Sequence, residues 1–193
     1  AIVPQPDWHG DFRDFKKLGQ PRLFFAVAPG CMDSMVNKYT ANRRLRSEDA
    51  YSPDGRHDMR PEYPTIVYTQ ILKQLYPTVP VVLGGIEASM RRLTHYDYWK
   101  ERLRPSILVD SHADLLIYGM GEQPVRTLCR NLKERILNGQ MGNHCSVADF
   151  RKAICEDPVP QTVALFSESQ IPRGICEDDI LLHSHEDCLK NPR

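Results

Sequence analysis

Two glycine pairs, each followed closely by a glutamate, carry the clearest chemical signal in this sequence: Gly84-Gly85-Ile86-Glu87 and Gly119-Met120-Gly121-Glu122. Glycine lacks a Cβ, so a flat or extended ligand can lie directly on the main chain there. A helix that starts after such a loop presents unpaired amides that suit a phosphate, and the same amides favour a carboxylate near the helix start. Each pair has two readings. In one the loop holds a ligand, with Glu87 and Glu122 as acid and base partners should the loops converge. In the other the glycines turn the chain from strand to helix and the glutamate leads the helix. Acid-base work needs a third polar group, and no histidine completes a triad around either glutamate. Neither pair fits G-x-G-x-x-G, because Ile86-Glu87-Ala88 and Glu122-Gln123-Pro124 come next, and no glycine run leads into Gly-Lys-Ser or Gly-Lys-Thr.

Metal chemistry has one local cluster to draw on, Cys176, His183, His185 and Cys188. Its spacing, C-x6-H-x-H-x2-C, is not that of a structural zinc knuckle, and the stretch reads as a polar C-terminal segment. No cysteine lies within ten positions of another except Cys145 and Cys155, which are ten apart. No short cysteine loop is therefore available to wrap an iron-sulfur cluster. Arginines gather at Arg43, Arg44 and Arg46, at Arg91 and Arg92 ahead of His95, Tyr96, Tyr98 and Trp99, and at Arg102 and Arg104. Stacking on nucleic-acid bases uses these residue types, but Asp54, Asp58, Asp97 and Glu101 are interspersed and 25 basic residues balance 25 acidic ones. The balance predicts no nucleic-acid partner and favours a solvated or interdomain face.

The elements that position these residues emerge from periodicity. The run RLFFAV at 22–27 ends at Pro29-Gly30 and leads into a connection of more than thirty residues without a clean period, an unusual length inside a compact domain. Residues 65–76, TIVYTQILKQLY, place Val67, Ile71 and Leu75 on one helical face between Pro64 and Pro77. Residues 79–83 are a buried strand, with Pro80 tolerated at its start. Two further apolar runs occupy 107–109 and 115–118. From Glu122 the period becomes helical, with Val125, Leu128, Cys129, Leu132 and Ile136 on one face and Gly139 placed to close the helix. Residues 162–166 are the last strand, and 140–160 an irregular or partly helical segment. Residues 1–3 read as the end of a buried strand, so the sheet is expected to be incomplete at its N-terminus.

Alternating strands and helices predict an α/β fold, a doubly wound, mostly parallel sheet of flavodoxin-like or cobalamin-binding-like type. Residues 1–139 form its core, and 140–193 an irregular segment, last strand and C-terminal extension. Such sheets bind ligands beyond the carboxyl ends of their strands, where strand order reverses, and both glycine pairs are predicted there. Hydrophobic content of 41% and charged content of 26% suit a soluble chain. No apolar run is long enough to span a membrane, and the start is not a signal peptide, so the expected compartment is the cytoplasm with no membrane partner. A homo-oligomer remains compatible with all of this.

PQPDWHGDF at 4–12, the stretch from YTANRR to TIVYTQ at 39–70, VVLGGIEASMRRLTHYDYW at 81–99 and DLLIYGMGE at 114–122 together resemble the amino-terminal region of the YgiQ family of radical SAM proteins. The resemblance runs to about residue 137 and continues more weakly through 180–187. It implies an accessory domain like the cobalamin-binding module that precedes many radical SAM barrels. It also implies a downstream catalytic domain holding a 4Fe-4S cluster and S-adenosylmethionine, with no cofactor expected in this chain. By that resemblance Gly84, Gly85, Glu87, Gly119, Gly121 and Glu122 line the place of the cobalamin nucleotide tail. The module's cobalt-binding pattern, Asp-x-His-x-x-Gly, is not met: in Asp7-Trp8-His9-Gly10-Asp11-Phe12 a phenylalanine stands where the glycine belongs. The radical SAM triplet C-x3-C-x2-C is absent. Two alternatives stand beside this reading: a self-contained doubly wound enzyme of small molecules or nucleotides, with Glu87 or Glu122 at its site, or a purely structural interdomain module.

Overall fold

The computed structural model describes residues 1–167 and 178–191. Three parallel strands, β1 (Phe25–Val27), β2 (Val81–Leu83) and β5 (Leu115–Ile117), lie side by side, and β6 (Thr162–Val163) joins β5 antiparallel. A separate antiparallel hairpin pairs β3 (His95–Asp97) with β4 (Arg102–Arg104). The helices are α1 (Arg13–Lys16), α2 (Ser34–Lys38), α3 (Pro64–Leu75), α4 (Gly85–Met90), α5 (Ile107–Ser111), α6 (Glu122–Leu137), α7 (Val147–Glu156) and α8 (His185–Lys190).

Alternation along the central strands explains why both faces of the sheet are covered. Val81, Leu83 and Leu116 belong to one core with Met35 of α2, Ile66, Tyr68, Ile71 and Leu72 of α3, Ala88 of α4 and Ile107 and Leu108 of α5. Val82, Leu115 and Ile117 point the other way, into a second core with Leu128 and Leu132 of α6 and Phe150, Ala153 and Ile154 of α7. Continuous apolar runs with no polar alternation are what strands buried on both faces require. The result is an α/β sheet, mostly parallel, with helices on both sides.

The helix predicted over 65–76 is α3, with Pro64 in its first turn, where its missing N–H costs nothing. The helix predicted from Glu122 is α6; Leu128 and Leu132 are its most buried residues, Cys129 is half-buried, and Gly139 comes just after its end at φ +70°. The irregular segment 140–160 contains α7, started by a capping box between Ser146 and Asp149.

The structure adds to or corrects the sequence reading at three places. Residues 1–3 form no strand, and Ile2 is 90% exposed; Pro4 and Pro6 remove amide donors from the adjoining chain, and β1 pairs with β2 alone. The apolar run at 107–109 opens α5, where Ser106 caps the helix by accepting from the Leu108 amide, so short apolar runs are not separable by period alone. Strand order β1-β2-β5-β6 matches chain order, so the parallel strands have no reversal point between them.

Candidate functional site

The carboxyl edge of the sheet gathers the predicted residues. Val82 and Leu83 lie opposite Leu115 and Leu116 in parallel register, so the glycine loops after β2 and β5 emerge side by side. The Gly119 amide donates to Ser89 Oγ of α4 at 3.2 Å, tying one loop to the helix that comes after the other. Adjacent parallel strands, not a reversal in strand order, bring them together.

What fills the space at Gly84 and Gly85 is protein, whereas Gly119 is exposed. Gly84 N–H donates to the carbonyl of Val27 at 2.9 Å. Gly85 sits at φ +82°, and a Cβ there would lie 3.2 Å from the carbonyl oxygen of Gly30 and 3.7 Å from Ala28 Cβ. Both conditions demand glycine, and the loop leaving β1 is what demands it. Gly119 is at φ +69°, where a Cβ would lie 3.4 Å from Gln161 Nε2, and a Cβ on Gly121 would lie 3.6 Å from Ile117.

Glu87 is 1% exposed. From the first turn of α4 its carboxylate accepts from the Ser34 amide at the start of α2 and from the Thr65 amide at the start of α3, both at 3.3 Å. One carboxylate thus satisfies orphan donors of two other helices. Glu122 is exposed in the first turn of α6, on the opposite side of the sheet, so the two glutamates form no acid-base pair.

The long connection between β1 and α3 folds over this edge and is stitched there by buried charge. Asp33 caps α2 through the Met35 and Val36 amides and forms a two-point ion pair with Arg91. Asp49 receives Arg60 Nε at 2.9 Å and Nη2 at 3.1 Å, together with Asn37 Nδ2 at 2.7 Å, the Tyr51 amide at 2.9 Å and Ser52 Oγ at 3.1 Å. Tyr63, a buried aromatic at φ 50°, donates its hydroxyl to Asp97 at 2.5 Å, with Arg91 and Arg104 stacked over its ring. A cavity of about 10 Å³ lined by Ser34, Asn37, Asp49 and Arg60 remains, room for about one water. A larger polar cleft of about 400 Å³, lined by Asn131, Arg135, Glu156 and Asp157 among others, lies towards the far ends of α6 and α7.

Burial by itself would raise the Asp49 carboxyl, but Arg60, the Tyr51 amide and Asn37 outweigh it and hold it below the usual carboxylate range. Asp97 behaves alike: burial is overcome by the Tyr63 hydroxyl, the Lys100 and Trp99 amides and Arg104. In both cases the unfolded chain binds a proton more readily than the folded one. Their contribution is complete above the unfolded value of about 3.9 and is lost as pH falls through the depressed folded values. The urea midpoint is expected to drop steeply below about pH 4, and Asp49→Asn, though less stable at neutral pH, should show a shallower acid limb. Parallel acid limbs in the two proteins would reject this assignment.

The aromatic stretch divides. Tyr96 is exposed, and Tyr98 carries Arg43 over its ring and donates to the Ala41 carbonyl. Trp99 is half-buried against the core, Arg91 is buried, and Arg92 donates to the Ser89 carbonyl while stacking on Tyr118. Arg91, paired with Asp33 and stacked on Tyr63, and Trp99, packed against the core with its amide donating to Asp97, therefore belong to the fold and not to a free contact face.

His9 is exposed in a turn beside Asp7. Of the C-terminal metal candidates, Cys176 lies outside the described residues; His183 is exposed, and His185 Nδ1 lies 3.3 Å from Thr94 Oγ1. Among the described residues no group of three or more His, Cys, Asp or Glu is placed to hold a metal ion. No helix among them is long and apolar enough to cross a membrane. Sequence reasoning missed Asp33, Asp49, Arg60 and Tyr63; the alternation of arginine, aspartate and tyrosine through 28–63 was the available signal.

A family described as Radical SAM N-terminal matches residues 1–193. UPF0313 proteins of Bacteroides thetaiotaomicron and Porphyromonas gingivalis are each 58% identical over 193 residues, all of this chain and 30% and 28% of those proteins. The UPF0313 protein YgiQ of Escherichia coli is 54% identical over 132 residues, 68% of this chain and 18% of that protein. The chain thus spans less than a third of the length of these relatives. No solved structure matches it.

Proposed function

The chain belongs to the radical SAM N-terminal family, and on that premise we propose that it is the accessory domain of a radical SAM enzyme. The iron-sulfur cluster and S-adenosylmethionine are then held by the polypeptide beyond it. The observation that carries this reading is the match of the whole chain to a part, 30% and 28%, of the Bacteroides thetaiotaomicron and Porphyromonas gingivalis relatives. The reaction and substrate belong to the remainder.

We further propose that the glycine-lined edge, with Gly84, Gly85, Glu87, Gly119, Gly121 and Glu122, is an edge packed by protein and not a cobalamin pocket. Three features support this. Gly85 is needed for the approach of Gly30, Glu87 is spent on the Ser34 and Thr65 amides, and the connection over 28–63 buries its ion pairs beside β1 and β2. A nucleotide tail at these loops would have to displace hydrogen-bonded main chain, and His9 is not in the cobalt-binding pattern.

The test uses the full-length parent. Anaerobic reconstitution with iron and sulfide is expected to load about four irons per chain, with none lost when Cys31, Cys129 and Cys145 are together replaced by alanine or serine. Titration with cobalamin is expected to give no saturable signal by calorimetry or absorbance. Loss of cluster iron in the triple variant would reject the accessory reading, and saturable micromolar cobalamin binding would reject the packed-edge reading.

A further inference from the structure

The edge that buries so much charge also leaves methionines in the open. Met120, between the two glycines of the second loop, is 75% exposed, and Met90, the last residue of α4, is 60% exposed. The Gly119–Ser89 hydrogen bond joins the loop that carries Met120 to the end of the helix that carries Met90, each methionine being the chain neighbour of a bonded residue. Ile86 lies one turn before Met90 on α4 and is exposed, as is Leu93, the residue after Arg92, which stacks on Tyr118. Four large exposed apolar side chains therefore lie on α4, the turn after it and the loop that the Gly119–Ser89 hydrogen bond ties to it. Scattered apolar residues need no explanation, but a clustered patch marks an interaction site, and methionine adapts its shape to a partner.

We propose that Ile86, Met90, Leu93 and Met120 form the surface on which the polypeptide C-terminal to this domain packs; this rests on the accessory-domain reading. Two observations choose that occupant. The relatives extend to more than three times the length of this chain, and the family is described as the N-terminal one, so most of their length lies C-terminal to the domain. The C-terminal helix also starts beside this region: α8 lies against β4, and its first residue, His185, places Nδ1 3.3 Å from Oγ1 of Thr94, the neighbour of Leu93. Just before α8, Ile180, Leu181 and Leu182 are all exposed.

Hydroxyl-radical footprinting of the full-length parent tests this. Leu137, exposed at the last position of α6, is the internal reference, since α6 carries it about 24 Å from the edge. Met90 and Met120 are expected to be labelled about tenfold more slowly, relative to Leu137, in the native parent than in the same protein in urea, because an interface core excludes water. Met90→Glu with Met120→Glu should raise labelling of Ile86 and Leu93 about fivefold by opening that interface. Native labelling of both methionines at the rate of a freely exposed side chain would overturn the proposal. So would protection that appears only as protein concentration rises, which would assign the patch to a second copy. Iron content of the same sample separates the two readings: protected methionines in a parent that takes up no cluster would keep the docking surface and sink the radical SAM assignment of its partner.

Discussion

Arg91→Ala is expected to cost about 3–5 kcal/mol of folding free energy, because it strands the Asp33 carboxylate in a buried site. Both side chains are at least nine-tenths buried, and the guanidinium meets the carboxylate through two nitrogens. Asp33 simultaneously caps α2, so it cannot swing out to solvent without releasing the Met35 and Val36 amides. Arg91 also stacks on Tyr63, whose left-handed backbone is sustained only by what surrounds it. Urea denaturation of the parent, monitored by a probe in this domain, should show the midpoint falling with little change in slope. Arg91→Lys keeps the charge but not the fork, and should recover less than half of the loss, about 1–2 kcal/mol. A lysine variant as stable as the native protein would show that charge alone matters, and an alanine variant within about 1 kcal/mol of it would show the pair to be of surface strength.

Much of this architecture was legible because burial on both faces leaves a plain mark. VVL at 81–83 and LLI at 115–117 are unbroken apolar triplets, and α3 and α6 carry helical periods closed by proline or glycine. The joint placement of the two glycine loops came from parallel strands. What was not legible depends on partners distant in sequence. Glu87 reads locally as a helix-leading glutamate, and only Ser34 and Thr65, 53 and 22 positions away, make it an internal clamp. The β3–β4 hairpin is short, charged and half-exposed, and its pairing of His95 with Arg104 has no apolar alternation to announce it. The connection over 28–63 hides its order for the same reason: its core is made of ion pairs, which have no period.

Asp49 tests whether that polar core is a true core. Removing a buried carboxylate that faces one arginine usually strands one charge, and replacing both partners by apolar residues can restore stability. Here that restoration is expected to fail. Asp49 also accepts from Asn37 of α2, from the Tyr51 amide and from Ser52, so a leucine at 49 leaves three donors unpaired besides Arg60. Each buried unpaired donor costs about 1–3 kcal/mol. Arg60→Met is expected to cost about 3–5 kcal/mol by stranding the carboxylate, and Asp49→Leu at least as much. The double variant should stay several kcal/mol below the native protein, where a simple buried pair would return close to it. Asn37→Ala, which removes one donor and leaves the ion pair, should cost only about 1–2 kcal/mol. A double variant of native stability would mean that the connection is held by a single ion pair, and that its other hydrogen bonds add nothing to holding it over the carboxyl edge.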